Sequence, residues 1–186
     1  DRLAALDLPG HRIALDLRDP DACQTAVRET LLYGGRIDVV INAVGAVAFG
    51  PIAELSVDVL EELFLTNTFL AVWLAEAALA SLGEGGVIVN ISGVIAEHNL
   101  PDMAAYGASK AALNHMTRGL ASELSGQKIT VVAMSPGWVR TDMGGDQADL
   151  EAKEVAHQME QTIRQLTIQQ SGQFLDRFGA VGTYAW

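Results

Sequence analysis

The sequence contains one cysteine, five prolines and three tryptophans among 186 residues. A single thiol cannot form an internal disulfide, and Cys23 reads as a packing residue within a helix. The four histidines, His11, His98, His115 and His157, lie far apart, without metal-ligand spacing. There is no G-x-S-x-G elbow, which argues against a nucleophile hydrolase. There is also no glycine-rich strand-turn-helix phosphate loop; the clusters at 34–35, 83–86 and 144–145 read as helix ends and loops. Basic residues are scarce: twelve Lys and Arg face twenty-three Asp and Glu, for a net charge of −11. That balance makes nucleic acid and anionic membranes poor partners. The most apolar stretch, Phe69 to Leu82, is interrupted by Glu76 and short for a membrane span, so it reads as a buried helix. No signal peptide is visible, and a reducing, cytoplasmic setting is expected.

What the chain does have is apolar surface to bury. Hydrophobic residues make up 49% and charged residues 19%, enough for one folded domain with a large core. Short β-branched runs alternate with longer helical ones. Strands are expected at Arg12–Leu17, Val39–Asn42, Val87–Ser92, Ile129–Ser135 and Gln173–Asp176. The runs at 39–42 and 87–92 lack polar alternation, which predicts burial on both faces. Helices are expected at 20–33, 56–82, 103–125 and 148–166, the first opened by Pro20 and the second capped by Ser56. Alternation of this kind predicts a three-layer, doubly wound α/β fold with a parallel sheet and right-handed crossovers. Ligands bind such sheets at the carboxyl ends of the strands, where Asp16, Asn42, Ser92 and Ser135 fall.

The chemistry points to Tyr106-Gly107-Ala108-Ser109-Lys110. Residues four apart share a helix face, so the phenol and the ammonium point the same way. A free tyrosine has a pKa near 10, and a neighbouring cation favours the phenolate. Such a tyrosine can exchange a proton with a carbonyl or alcohol oxygen while a hydride moves. Alone, the spacing equally describes an unremarkable surface pair. Its context is more specific: a buried strand about a dozen residues upstream, then Ala111-Ala112-Leu113, then Ser135-Pro136-Gly137-Trp138-Val139-Arg140-Thr141.

Taken in order, VVINAVGA, GVIVNIS, YGASKAAL and SPGWVRTDM resemble the short-chain dehydrogenase/reductase family. The tails PGWVRTDMGG and LTIQQSGQFLDRFGAVGTYAW further resemble its C-factor and sniffer-like carbonyl reductases. The resemblance implies a Rossmann-like domain that uses NAD or NADP to interconvert a small-molecule carbonyl and a secondary alcohol. It implies that Tyr106 is the acid/base and that Lys110 lowers its pKa and holds the nicotinamide ribose. Asn67 would hold a relay water, or, in the plainer reading, bond a neighbouring backbone. Asp16 would meet the adenine, or serve only a turn. Asn42 and Gly45 would line the adenosine ribose, or play a purely structural part. Pro136, Gly137, Val139 and Thr141 would wall the nicotinamide, although Pro-Gly is also an ordinary turn. The substrate pocket would be walled by residues 94–100 and a lid from Thr141 to Leu150. His98, Met103, Trp138 and Met143 are candidates for its lining, and packing roles suit them equally. The resemblance also implies a homodimer or homotetramer, formed through an outward apolar stripe on helices 56–82 and 103–125.

Two features depart from the family pattern. The chain opens at Asp1-Arg2-Leu3-Ala4-Ala5-Leu6, which resembles the end of the family's second helix, so the domain is expected to be N-terminally incomplete. In the family's strand order the sheet centre would then be missing. Second, the family's catalytic serine lies thirteen residues before the tyrosine, where this chain has Gly93. Ser92 is adjacent and is carried as a candidate catalytic residue, although a one-residue shift on a strand faces the opposite side. Gly93 therefore leaves open a catalytically weak or silent nucleotide-binding or signalling module.

Overall fold

The computed structural model describes residues 10–181. Residues 1–6, expected to resemble a helix end, lie outside that range. Helix α1, Pro20–Gly34, begins where the Asp19 side chain accepts from the Asp21 amide, with Pro20 in the first turn. It ends at Gly35, whose φ of 74° is the left-handed cap expected of glycine. Strand β1, Ile37–Asn42, follows directly.

Helix α2, Val57–Phe64, is capped by Ser56, whose hydroxyl accepts from the Val59 amide. The chain then passes through a π-helical turn, Leu65–Phe69, into α3, Leu70–Leu79. The single helix expected over 56–82 is thus widened by one residue in mid-course, and it stops earlier. By length and composition the run Val57–Leu79 could cross a bilayer, but half of its most apolar window is buried within the fold. It is a core helix, as expected of its C-terminal half.

Strand β2, Leu82–Ile91, takes in Gly83, Gly85 and Gly86, which were expected to lie outside the sheet. The irregularity survives as a shift in the β1–β2 register between Ile37 and Val39. Helix α4 spans Ala104–Glu123, and β3 spans Thr130–Ser135 with every residue buried. Two-residue strands β4, Val139–Arg140, and β5, Leu150–Glu151, pair in parallel and close the loop between them. Helix α5, Ala152–Ile163, is shorter than the 148–166 expected, because Leu150 and Glu151 are drawn into β5. Strand β6, Phe174–Asp176, completes a four-stranded parallel sheet of order β1-β2-β3-β6.

Side-chain alternation along the central strands sorts the core into two layers. Ile88 and Val131 pack with α1, α3 and the end of α4. Val87, Val89, Val132 and Met134 pack with α5 and β6. This is the two-sided burial expected of 87–92, and β3 shares it, whereas the same expectation for 39–42 fails. It does not extend to β1, where Val39 and Ile41 are 41% and 50% exposed. Helices α1 and α3 cover only one face of β1, and among the described residues nothing covers the other. Nor is Arg12–Leu17 a strand: it finds no pairing partner among the described residues, and a strand is defined by its pairing, whatever its propensity.

Candidate active site

The carboxyl ends of β1, β2 and β3 meet the first turns of α4. The Tyr106 hydroxyl reaches Gly93, just past the end of β2: a Cβ built there would lie 4.0 Å from it. One turn on, the Lys110 ammonium donates to the Ile91 carbonyl at 2.9 Å. The phenol and the ammonium thus arrive two residues apart at one strand end, as their spacing predicted. Their electrostatics differ from expectation. Burial raises the Tyr106 pKa above its ordinary value, and burial lowers that of Lys110 to about 8. Burial is the cause acting on the phenol, and the Lys110 ammonium is bonded to the Ile91 carbonyl.

Asn67 is fully buried on the π turn, where the extra residue sets its position on the helix. Its Oδ1 accepts from the Ala46 amide at 2.8 Å, and its Nδ2 donates to the Ala46 carbonyl and to Ser109 Oγ, both at 2.9 Å. Its side chain is therefore engaged in the backbone-bonding arrangement that was the plainer of its two readings. Ser109 in turn donates to the Tyr106 carbonyl at 2.7 Å, and Thr68 donates to the Ser109 carbonyl. Ser109 is fully buried and central to this network. Sequence reasoning passed over it although it lies inside the Tyr-Lys turn. The one available signal was a polar residue on the core-facing side of α4.

Gly45 sits against the same cluster. A Cβ there would come 3.2 Å from Asn67 Oδ1 and 3.4 Å from Lys110 Nζ, so a side chain would crowd both. Met143 of the β4–β5 loop reaches the same spot, its methyl 4.0 Å from that Cβ position. Asn42 is buried, and its Oδ1 accepts from the Val44 amide at 3.3 Å, shaping the turn that presents Gly45.

Gly137 has a φ of +84°, and a Cβ there would meet Leu150 at 2.8 Å and Arg177 Nη1 at 3.2 Å. Pro136 and Val139 flank it and are partly buried. The Thr141 hydroxyl is spent within its own loop, donating to the Val139 carbonyl and accepting from the Gly144 amide. Trp138, 54% exposed, pins the same loop by donating to the Gly144 carbonyl at 2.8 Å. His98 and Met103 are partly buried beyond β2. Asp16 lies apart on the open loop, clamped by Arg18 at 2.6 Å; that guanidinium holds its carboxyl down to about 2.

Ser92 is buried and its hydroxyl has no partner. Alternation puts it on the α4 side of β2 with Ile88 and Asn90, whereas Gly93 is the residue beside the phenol. A hollow of about 280 Å³ lined by Gln158, Gln161, Thr162 and Phe178 contains neither Tyr106 nor Lys110. It offers amides but no acid/base pair, so the chemistry favours the strand-end cleft.

Known proteins share this architecture. The chain is 34% identical over 143 residues to the uncharacterized oxidoreductase YohF of Escherichia coli, covering 75% of this chain and 56% of that protein. It is 33% identical to a versicolorin reductase of Emericella nidulans, covering 70% of this chain and 50% of that one. The chain therefore spans about half the length of these curated relatives. Among solved structures, the carbonyl reductase Sniffer of D. melanogaster superposes with a TM-score of 0.86 at 32% identity, covering 95% of this chain and 78% of that one. An NADPH-bound carbonyl reductase from chicken fatty liver superposes with a TM-score of 0.87 at 28% identity, covering 100% and 81%. The profile of the family described as short chain dehydrogenase matches residues 4–152, and the chain belongs to that family.

Proposed function

We propose that the protein is an NAD(P)-dependent oxidoreductase that interconverts a carbonyl and a secondary alcohol, with Tyr106 as its acid/base. The observation that carries this reading is the joint arrival of the Tyr106 hydroxyl and the Lys110 ammonium at the end of β2. The residues present suit the nicotinamide-ribose end of such a cofactor. Lys110 commits one ammonium proton to the Ile91 carbonyl and has two more for ribose hydroxyls. Gly45, bare of a side chain beside Asn67 and Lys110, leaves room for a close approach. When bound, NAD or NADP supplies or receives the hydride at its nicotinamide.

The protein's own work is positional and acid-base. Tyr106 donates its proton to the carbonyl oxygen as the hydride arrives, and takes one from the alcohol in the reverse direction. Asn67 and Ser109 fix the turn that carries Tyr106. Gly137 lets the 136–141 loop pass close to Leu150 and form the far wall. Asp16, Asn42, Pro136, Val139 and Thr141 complete the proposed cofactor contacts. His98, Met103, Trp138 and Met143 are the proposed lining of a small-molecule substrate pocket. A homodimer or homotetramer is part of the same reading, supported by half-exposed Phe69 at the end of the π turn, its ring tilted against that of Trp73. A cytoplasmic setting is also part of it, supported by the buried free thiol of Cys23.

Gly93 supports a second reading, a weak or silent nucleotide-binding or signalling relative. Without a hydroxyl at that position, a developing oxyanion lacks one donor beside Tyr106. A screen of carbonyl substrates with NADH and NADPH, run on the native protein and on Tyr106→Phe, separates the two. Turnover lost in the variant supports the oxidoreductase; equal turnover in both overturns it.

A further inference from the structure

Among the described residues, four buried side-chain polar atoms have no hydrogen-bond partner: Asn90 Oδ1, Ser92 Oγ, and both amide atoms of Asn114. Scattered over the fold, such atoms would indicate loose packing. Instead all four lie on one seam, between β2 and α4. Asn90 lies in β2 and Ser92 one residue past its end, where the Ser92 amide still donates to the Met134 carbonyl of β3, so alternation carries both side chains to the same side. Asn114 lies on the core-facing stripe of α4, one turn after Lys110 and one turn before Thr117. Thr117 is the residue to which Asn90 Nδ2 donates, at 3.0 Å. Asn90, Ser92 and Asn114 are each at most 4% exposed, so bulk water does not reach them.

Elsewhere on the seam the polar side chains have partners. Thr117 donates to the Leu113 carbonyl at 2.9 Å and Lys110 to the Ile91 carbonyl at 2.9 Å. An apolar seam would also have suited this fold, since Leu113 and Ala121 on the same stripe and Ile88 on the same strand face are buried hydrophobics. Three polar side chains stand there instead, with donors and acceptors left over. Buried polar atoms are almost always paired with protein or with ordered water, and a buried water typically makes about three hydrogen bonds. Asn114 supplies two N–H donors and an acceptor oxygen, Asn90 an acceptor, and Ser92 a hydroxyl that serves as either.

We propose that the β2–α4 seam is a buried water-binding site built by Asn90, Ser92 and Asn114. It extends the polar track of Tyr106 and Lys110 inward by one further turn of α4, and it does not depend on the redox reading. Its test is high-resolution diffraction from the native protein, together with magnetic relaxation dispersion of labelled water oxygen on the native protein and on Asn114→Leu. The expected result is density within hydrogen-bond distance of the Asn114 amide and Asn90 Oδ1, and a count of long-lived internal waters lower by at least one in the variant. A dry seam in the native crystal, with the two asparagine amides bonded to each other, overturns the proposal whether or not the variant folds. An unchanged water count in a folded variant overturns it as well.

Discussion

A Cβ placed on Gly93 would stand 4.0 Å from the Tyr106 hydroxyl, with only Ile95 closer, at 3.7 Å. The backbone there has φ −168° and ψ 158°, extended geometry that any residue adopts. Gly93→Ser therefore fits without strain and adds a hydroxyl beside the proton donor. Removing one oxyanion donor from an enzyme costs about 10²–10³ in kcat. Restoring one here is expected to raise kcat by ten-fold or more on a carbonyl substrate with NADPH. An unchanged kcat would mean that another group already fills that role.

Lys110 gives a pH signature with a defined sign. Burial lowers its folded pKa from an ordinary 10.5 to about 8, so the folded state disfavours the charged form. Below pH 8 both states are protonated and the folded state bears the full penalty. Between about 8 and 10.5 the unfolded chain binds more protons than the folded one, so stability rises with pH. The gain amounts to at most about 3 kcal/mol. Urea denaturation from pH 7 to pH 10 should show this rise in the native protein and not in Lys110→Met. The variant should also be the more stable of the two near pH 7 while losing nucleotide binding.

Asn67→Ala removes both bonds that tie Ala46 to the π turn, along with the bond to Ser109. The Ala46 amide and carbonyl would be left without these partners, each at a cost of about 1–3 kcal/mol if water cannot reach it. A fall in stability of about 2–4 kcal/mol is expected from chemical denaturation. Asn67→Asp keeps the acceptor for the Ala46 amide but loses both donations, so it should not rescue the protein.

Gly137→Ala is expected to cost about 1–3 kcal/mol, because a non-glycine residue is strained at φ +84° and its Cβ would press on Leu150 at 2.8 Å. Gly45→Ala, at ordinary φ, meets Asn67 Oδ1 at 3.2 Å and Lys110 Nζ at 3.4 Å. Its effect should fall mainly on nucleotide affinity. A comparison of thermal midpoints and NADPH titrations for the two variants checks this division of roles.

These contrasts show what a linear chain reveals. The buried half of β2 was readable because Val87-Ile88-Val89 run without polar alternation between helical segments, and its two-sided burial follows from cover on both faces. The nearness of Gly93 and Tyr106 was implied by the resemblance, since the family's serine stands thirteen residues before its tyrosine. The exposure of Val39 and Ile41 was not readable, because their composition is that of a covered strand and the missing cover is a property of neighbours. The π turn was equally hidden: it is visible only with the Ala46 backbone on the far side of Asn67. Ser109 looked like filler in an alanine-rich helix until Asn67 arrived from forty-two residues away.

Met143 offers the sharpest test of the cleft. Its methyl lies 4.0 Å from the point where a Gly45 Cβ would sit, and Lys110 Nζ is 3.4 Å from that same point. A ligand resting on Gly45 and Lys110 must share this space with Met143, which the β4–β5 loop holds there through the Trp138 bond to Gly144. Removing the side chain should lower the cost of opening the cleft. A binding-competent state that is only fractionally populated weakens apparent affinity by that fraction. Met143→Ala is therefore expected to tighten NADPH binding by several-fold in calorimetry, mainly through faster association. If the variant binds more weakly instead, Met143 is a wall that packs on the bound nucleotide, and the loop closes over the ligand without competing with it. Trp138→Phe distinguishes the cases further: it frees the loop from Gly144 while keeping an aromatic ring, so it should reproduce the Met143→Ala gain only if obstruction is the cause.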